Sequence, residues 1–462
     1  MTVRVAVIGG GVSGLTGAYD LRRLLGDDAH IDVFCADDAP GGILASATVD
    51  GLSLDVGAEA FIVRRPEARD LVAELGLGDE IVSPGGMRPA VWSEGRLHPL
   101  PSPAVMGIPA TASALGDLVD DAERHIVETE SDRAMHWTGG ADVSVGELVA
   151  DRFGEAVVAR SVDPMLGGVY SARAHDLGLR EAIPALAAVL DAGAPSLTVA
   201  VADVLSRPTG AGPVFGALRG GYRTLVDALV AAARADVHTN ATVRSVHAAG
   251  PTYDVDLGPG TDAIATCGYH AVLVAVPVWT AGALLGEVAP PAADAFSAVD
   301  AAGSAVIAFA VDGPTPEQSG VLVASDAGDL SIKAITLSSR KWPHLAATDG
   351  RSVLRASIGR LGHPVSASDE DLIARATADL GTVFGAAGLS APRVRDAAVQ
   401  RWPTGLPHYG PGHLSAMSAA IATLPAGLAV AGSGYRGVGV PACVGTARDG
   451  ASRLAGHVNA LT

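Results

Sequence analysis

Hydrophobic positions along the chain alternate between short β-branched runs and stretches of helical spacing. Residues 3–8 are an apolar run suited to a buried strand, and beyond Gly9-Gly10-Gly11 the residues Leu15, Ala18, Leu21 and Leu25 share one helical face. Gly26-Asp27-Asp28 ends that helix, and residues 31–34 read as a second, parallel strand, which completes a β-α-β unit. From Pro66 to Leu205 the spacing turns helical with polar faces, over residues 68–75, 114–128, 145–158 and 180–190. Proline-rich breaks at 99–109 and 208–213 punctuate it. A strand and helix return over 214–229, followed by hairpin-like strands at 241–247 and 253–257 and a strand at 271–276 that stops at Pro277. Strands at 305–311, 330–337 and 353–358 come next, with a helix at 369–384. The end repeats the beginning: strand 428–431, a glycine-rich loop, then helix 442–458. The pattern predicts an α/β protein whose Rossmann-like dinucleotide-binding domain is discontinuous, over 1–65, 214–287 and 421–462. A mainly helical insertion (66–213) and a substrate domain with mixed sheet and helix (288–420) interrupt it.

Composition agrees with several domains and a large interior: of 462 residues, 48% are hydrophobic and only 18% charged. The net charge of -18 argues against nucleic acid and against an anionic membrane surface as partners. It also makes every positive cluster conspicuous, since the only lysines are Lys333 and Lys341. Cys35, Cys267 and Cys443 are scattered, without metal-ligand spacing, and read as free thiols of a reducing cytoplasm. Residues 263–286 carry no charged side chain, but Gly268, His270 and Pro277 interrupt the run, so it reads as strand, turn and helix. A soluble cytoplasmic protein with no transmembrane anchor is expected.

Gly9-Gly10-Gly11-Val12-Ser13-Gly14 fits G-x-G-x-x-G between a strand and a helix. There Gly9 permits the tight turn, Gly11 lets the backbone approach a pyrophosphate, and Gly14 lets helix and strand pack closely. The phosphate then meets the free N–H groups of the helix N-terminus. At the end of the second strand, where an acid would bind ribose hydroxyls, stand Cys35 and Ala36. A thiol is a poor acceptor, so either Asp37 substitutes or the ribose contact is weaker by about 1–2 kcal/mol.

Further glycine-rich segments follow in a set order. They are Gly41-Gly42, then Val56-Gly57-Ala58-Glu59-Ala60-Phe61, and near the end Ala431-Gly432-Ser433-Gly434 with Gly437-Val438-Gly439-Val440-Pro441. Between them lie Arg96-Leu97-His98-Pro99, Asp163-Pro164, Gly167-Gly168-Val169-Tyr170, Ser338-Ser339-Arg340-Lys341-Trp342 and Arg401-Trp402-Pro403. This order resembles the flavin amine oxidase superfamily and, within it, the Gram-positive-type porphyrinogen oxidases. Ala39 stands where the family usually has Arg, and Ser433 where it often has Asp.

The resemblance implies FAD, held by Gly9 to Gly14, Cys35, Ala36, Gly41, Gly42, Gly57, Ala58, Glu59, Ala60, Val243, Trp402, Gly432, Val438, Gly439 and Val440. It implies oxidation of coproporphyrinogen III to coproporphyrin III with O2 as acceptor, giving H2O2, in haem biosynthesis, and transient contact with ferrochelatase. The macrocycle's carboxylate arms call for cations at the rim of an apolar cavity. Candidates are Arg64, Arg65, Arg88, Lys341 and His408; each reads equally as an ordinary solvated or satisfied polar group, and Lys341 as the end of a surface strand. No Ser–His–Asp, paired-carboxylate or His-x-x-x-His pattern appears, and no catalytic base is named. The other readings are a protoporphyrinogen IX oxidase, a flavin amine oxidase, a phytoene-desaturase-like enzyme and a flavin-binding scaffold. An aromatic content of 4% is thin for an amine-caging site.

Overall fold

The computed structural model describes every residue except 1, 209, 211, 262, 263, 265, 347–349 and 462. The start of the uncharged run at 263 and part of the 208–213 break therefore lie outside the described residues. Strand β1 (Arg4–Ile8), helix α1 (Val12–Leu25) and strand β2 (His30–Phe34) form the expected β-α-β unit, with Val5 paired to Ile31 and Val7 to Val33 in parallel register. Helix α1 stops at Gly26, which has φ +79. Buried Arg22 then donates to the carbonyls of Gly26, Asp27 and Ala29, which satisfies three acceptors of the turn after the helix.

Five parallel strands make the central sheet, in the order Asp236–His238, β2, β1, Ala271–Val274, Leu428–Val430. They come from three separate stretches of chain. The middle strands are buried on both faces, which is why they read as continuous apolar runs. On one face α1 and the final helix, Val440–Asn459, pack Ala18, Leu21, Ala447, Ala451 and Leu454 over Val5, Val7, Val33 and Leu273.

A second, seven-stranded sheet runs Arg393–Pro407, Ala301–Asp312, Arg351–Ile358, Ala334–Thr336, Gly320–Val323, Ala90–Ser93, Arg96–Pro99. Its pairs are antiparallel except Gly320–Val323 with Ala90–Ser93, so the sheet is mixed. Helix Asp369–Ala386 covers one face, with Leu372, Leu380 and Phe384 against Ile307, Phe309 and Leu354.

Several expected elements differ. Two strands of this sheet, within residues 90–99, arise inside the stretch read as a helical insertion; each is four residues long, and their hairpin joins the sheet through Ala90–Ser93, which pairs with a strand more than two hundred residues away. The helix expected over 114–128 is a short 3-10 turn, Ala112–Leu115, and a separate helix, Asp121–Glu128. Asp120 caps the latter by accepting from Glu123 N, and the Glu123 carboxylate returns to Asp120 N. Gly154 breaks the 145–158 segment, and Pro184 breaks 180–190 into Leu179–Ala182 and Pro184–Asp191. Of 330–337 only Ala334–Thr336 is strand. The rest of the layer is helical, around Val145, Val149, Phe153, Leu166, Leu186, Leu190 and Val201.

Candidate active site

The glycine fingerprint is built as its chemistry requires. Gly9 has φ +118, and its carbonyl oxygen would lie 1.8 Å from a Cβ on Gly14, so helix and turn touch backbone to backbone. Gly11 is different. A Cβ there would meet only Gly41 O, at 4.0 Å, so the space beside it is open to a ligand. Gly11 is also the N-cap of α1 and offers no side chain to the helix's free N–H groups. Gly41 N donates to Gly10 O at 2.9 Å, which lays the 41–42 loop along the fingerprint. An open cradle lined by free N–H groups fits the pyrophosphate of a dinucleotide.

Opposite it, the final helix begins with Gly439 as N-cap, again without a side-chain cap. Cys443, in that helix's first turn, is buried, and burial pushes its thiol up to about 11. Val12, at the start of α1, belongs to the same apolar cluster as Val440 and Cys443, so the two helix N-termini pack together. The loop before the final helix is held by Tyr409, whose hydroxyl donates to Ser433 O (2.6 Å) and accepts from Gly437 N (2.7 Å). His413 Nε2 reaches Gly434 O at 2.8 Å, and Gly432 N donates to Thr446 Oγ1 at 3.0 Å.

The 57–60 turn lies where strand Leu52–Asp55 meets the seven-stranded sheet. Trp402 Nε1 donates to Val56 O at 3.1 Å, and Arg355 donates to Asp55 O at 2.7 Å. Glu59 is buried between two cations, with Lys341 Nζ at 2.6 Å and Arg355 Nη2 at 3.2 Å, and Ser338 Oγ donates to it. Burial alone would raise its pKa, but Arg355 and Lys341 outweigh that and hold the carboxyl at about 2.

Several sequence candidates are therefore redirected. Lys341 is not the end of a surface strand but the last residue of helix Ser338–Lys341, and its ammonium is committed to Glu59. The Glu59 side chain is equally occupied, so only its backbone is free to face a cofactor. Cys35 follows β2 directly, but its thiol turns inward under Gly10, where an added Cβ would lie 2.7 Å from the sulfur. Ala36 and Asp37 are exposed, and Asp37 O accepts from Asn240 N. Val243 is buried at the start of Val243–Ala249, beside Ile8 and Phe34.

Among the rim candidates, Arg65 is exposed and paired with Glu67, and half-buried Arg64 donates to Gly212 O. Arg88 is exposed, and His408 Nε2 bonds Asp176 O at 2.6 Å. Among the described residues no hydrogen bond or ion pair joins these four to one another, and three of them have partners of their own. The reading from sequence missed Arg355, whose strand it located but whose partners it could not see.

This flavin-shaped cradle lies on a fold that known proteins share. The chain belongs to the family of flavin-containing amine oxidoreductases, whose profile matches residues 12–455. Within that family it is 47% identical over 446 residues to the coproporphyrinogen III oxidase of Mycobacterium tuberculosis, covering 96% of this chain and 95% of that one. The Bacillus subtilis coproporphyrinogen III oxidase is 27% identical over 95% of each chain. A crystal structure from Exiguobacterium sp. 255-15, provisionally described as a protoporphyrinogen oxidase, superposes with TM-score 0.85 at 25% identity over 98% of this chain and 99% of that one. Reduced UDP-galactopyranose mutase shares the fold alone, at 16% identity and TM-score 0.72 over 100% of this chain and 95% of that one. The family implies a flavin cofactor, and the chain is a flavin-dependent oxidoreductase. No helix among the described residues is long and apolar enough to cross a membrane.

Proposed function

We propose that the chain binds FAD and oxidises coproporphyrinogen III to coproporphyrin III, with O2 as acceptor and H2O2 as product, in the coproporphyrin-dependent branch of haem biosynthesis. The observation that carries this reading is identity of 47% over nearly the full length of both chains with a coproporphyrinogen III oxidase. Bound at the cradle, FAD supplies the hydride acceptor and the route of electrons to oxygen. The open space at Gly11 and the uncapped start of α1 receive the pyrophosphate. Val438, Gly439 and Val440, at the uncapped start of the final helix, would hold the cofactor there, and the helix N-terminus would favour negative charge on it. Lys341, Arg355 and Trp402 keep the 57–60 turn in place by the bonds described above and so orient the ring's neighbour. Arg64, Arg65, Arg88 and His408 are left as outer contacts for an acidic substrate. The partner this reading implies is a ferrochelatase that takes the product.

The test is aerobic turnover with added FAD, followed by porphyrin fluorescence and peroxide release, on coproporphyrinogen III and protoporphyrinogen IX in parallel. Faster turnover of the first supports the reading. Faster turnover of the second moves the substrate to protoporphyrinogen IX, and reduction by amines alone moves the chain to the amine oxidases.

A further inference from the structure

The chain's other lysine has no place in the cofactor cradle. Lys333 precedes strand Ala334–Thr336, and its ammonium donates to the hydroxyl of buried Ser171, which caps helix Asp163–Tyr170 from the helical layer. Ser171 O in turn accepts from Leu361 N at 2.7 Å, which fixes Arg360 beside the same serine. Among the described residues neither Lys333 nor Arg360 forms an ion pair, although the chain holds 50 acidic residues and 32 basic ones. Two half-buried cations thus stand together at the junction of sheet and helical layer, joined through a neutral hydroxyl, with the buried Asp163 carboxylate acting on Arg360 from beyond ion-pair distance. Burial, and then the charge of Arg360, pull the Lys333 ammonium down to about 7, and burial lowers Arg360 as well. Asp163 offsets part of the Arg360 charge, but among the described residues no acid acts on Lys333, so the pair still favours an added anion.

The junction is close to the cradle. Tyr170, next to Ser171, lies 6.0 Å ring to ring from Tyr409, the residue that holds Ser433 and Gly437. Tyr170, Leu361 and Val438 are all only partly buried and border the same apolar cluster. Apolar residues that lead from the flavin loop to a pair of cations suit a flat ring with an acidic arm.

We propose that Lys333 and Arg360 form the binding site for a carboxylate arm of the substrate. This rests on the porphyrinogen reading above and assigns to it a contact that the outer arginines, scattered and partly paired, do not supply. The carboxylate is held by charge-assisted hydrogen bonds from both cations, and Ser171 positions Lys333 for it.

The experiment titrates coproporphyrin III, followed by its fluorescence, into the flavin-loaded wild type and the variants K333Q, R360Q and K333R. Its tetramethyl ester, dispersed in mild detergent, serves as the uncharged control. Loss of a charged hydrogen bond predicts about tenfold weaker binding of the acid by K333Q and R360Q, and a matching rise in KM with little change in kcat. K333R keeps the cation and binds within about twofold of wild type, and the ester binds equally to all four proteins. Flavin absorbance and melting temperature verify each fold, and if K333Q fails to fold, R360Q with K333R decides. Equal binding of the acid by wild type and folded variants overturns the site while leaving the function intact. A wild type that neither binds nor oxidises a porphyrinogen overturns the function, and the site falls with it.

Discussion

Lys341 Nζ lies 2.6 Å from Glu59 Oε2, an ion pair that ties a short helix of the sheet domain to the turn expected beside the flavin. The residues are 282 positions apart, and the carboxylate is buried. Arg355 completes the arrangement at 3.2 Å.

That pair makes the protein sensitive to acid. Glu59 is held at about 2 against an ordinary 4.5, so its folded-state pKa is depressed. Its contribution is present above pH 4.5 and is lost as pH falls from there toward 2, a loss of about 3 kcal/mol. K341M leaves the anion with Arg355 and Ser338 alone and costs about 2 kcal/mol at neutral pH. Urea midpoints of both proteins between pH 7 and about pH 2.5 measure it, and K341M should lose less on acidification.

A second buried acid works in the opposite sense. Glu181 Oε2 and Asp142 Oδ2 converge over Gly178, and no donor faces Glu181 Oε2 unless one acid keeps a proton. Burial, then the Asp142 carboxylate, raise Glu181 to about 7, while Asp142, bonded by Arg180 N and Gly412 N, is lowered. A raised acid gives stability that is complete below its unfolded value of 4.5 and fades as pH climbs to about 7. The fall is on the order of 2 kcal/mol for such a pair. E181Q supplies a permanent donor, so its melting temperature should be flatter between pH 5 and pH 8 than that of wild type.

Gly11 separates ligand from fold. Its would-be Cβ meets only Gly41 O at 4.0 Å, so G11A should melt like wild type when both are stripped of flavin. The same methyl occupies the space assigned to the pyrophosphate, and flavin affinity should fall by about tenfold or more. G14A, with Gly9 O at 1.8 Å, should lose stability even without flavin. Equal flavin binding by G11A and wild type would remove the pyrophosphate from this turn.

Tyr409 is the peg of the C-terminal loop. Y409F strips a donor from Ser433 O and an acceptor from Gly437 N in a buried place, at a cost of about 2 kcal/mol. Flavin released on dilution, followed by its fluorescence, should leave Y409F faster than wild type.

Legibility in the sequence followed the range of the interactions. The fingerprint was readable because its glycines answer to local sterics: the Gly9 turn and the Gly14 contact need no distant partner beyond the neighbouring strand. Four strands of the central sheet were readable as apolar runs because they are largely buried, whereas the edge strand Asp236–His238, exposed or half-buried along its length, went unread. Strand Arg393–Pro407 escaped notice, since Pro403 and Gly405 suggest a loop and its ladder with Ala301–Asp312 has register shifts. Ala90–Ser93 was lost for a related reason, being too short to show alternation. Side-chain roles fared worst. Whether Lys341 points at solvent or at Glu59 depends on a meeting of two domains that no spacing encodes.

The final helix packs against the first one, through Ala447, Ala451 and Leu454 beside Ala18 and Leu21 and through Val440 and Cys443 beside Val12. The two helices stand more than four hundred residues apart in the chain, yet both supply an uncapped start to the same cradle. A chain cut before residue 440 would lose one of those two starts, so yellow colour in the purified protein would report that the segment from residue 440 onward is present and folded.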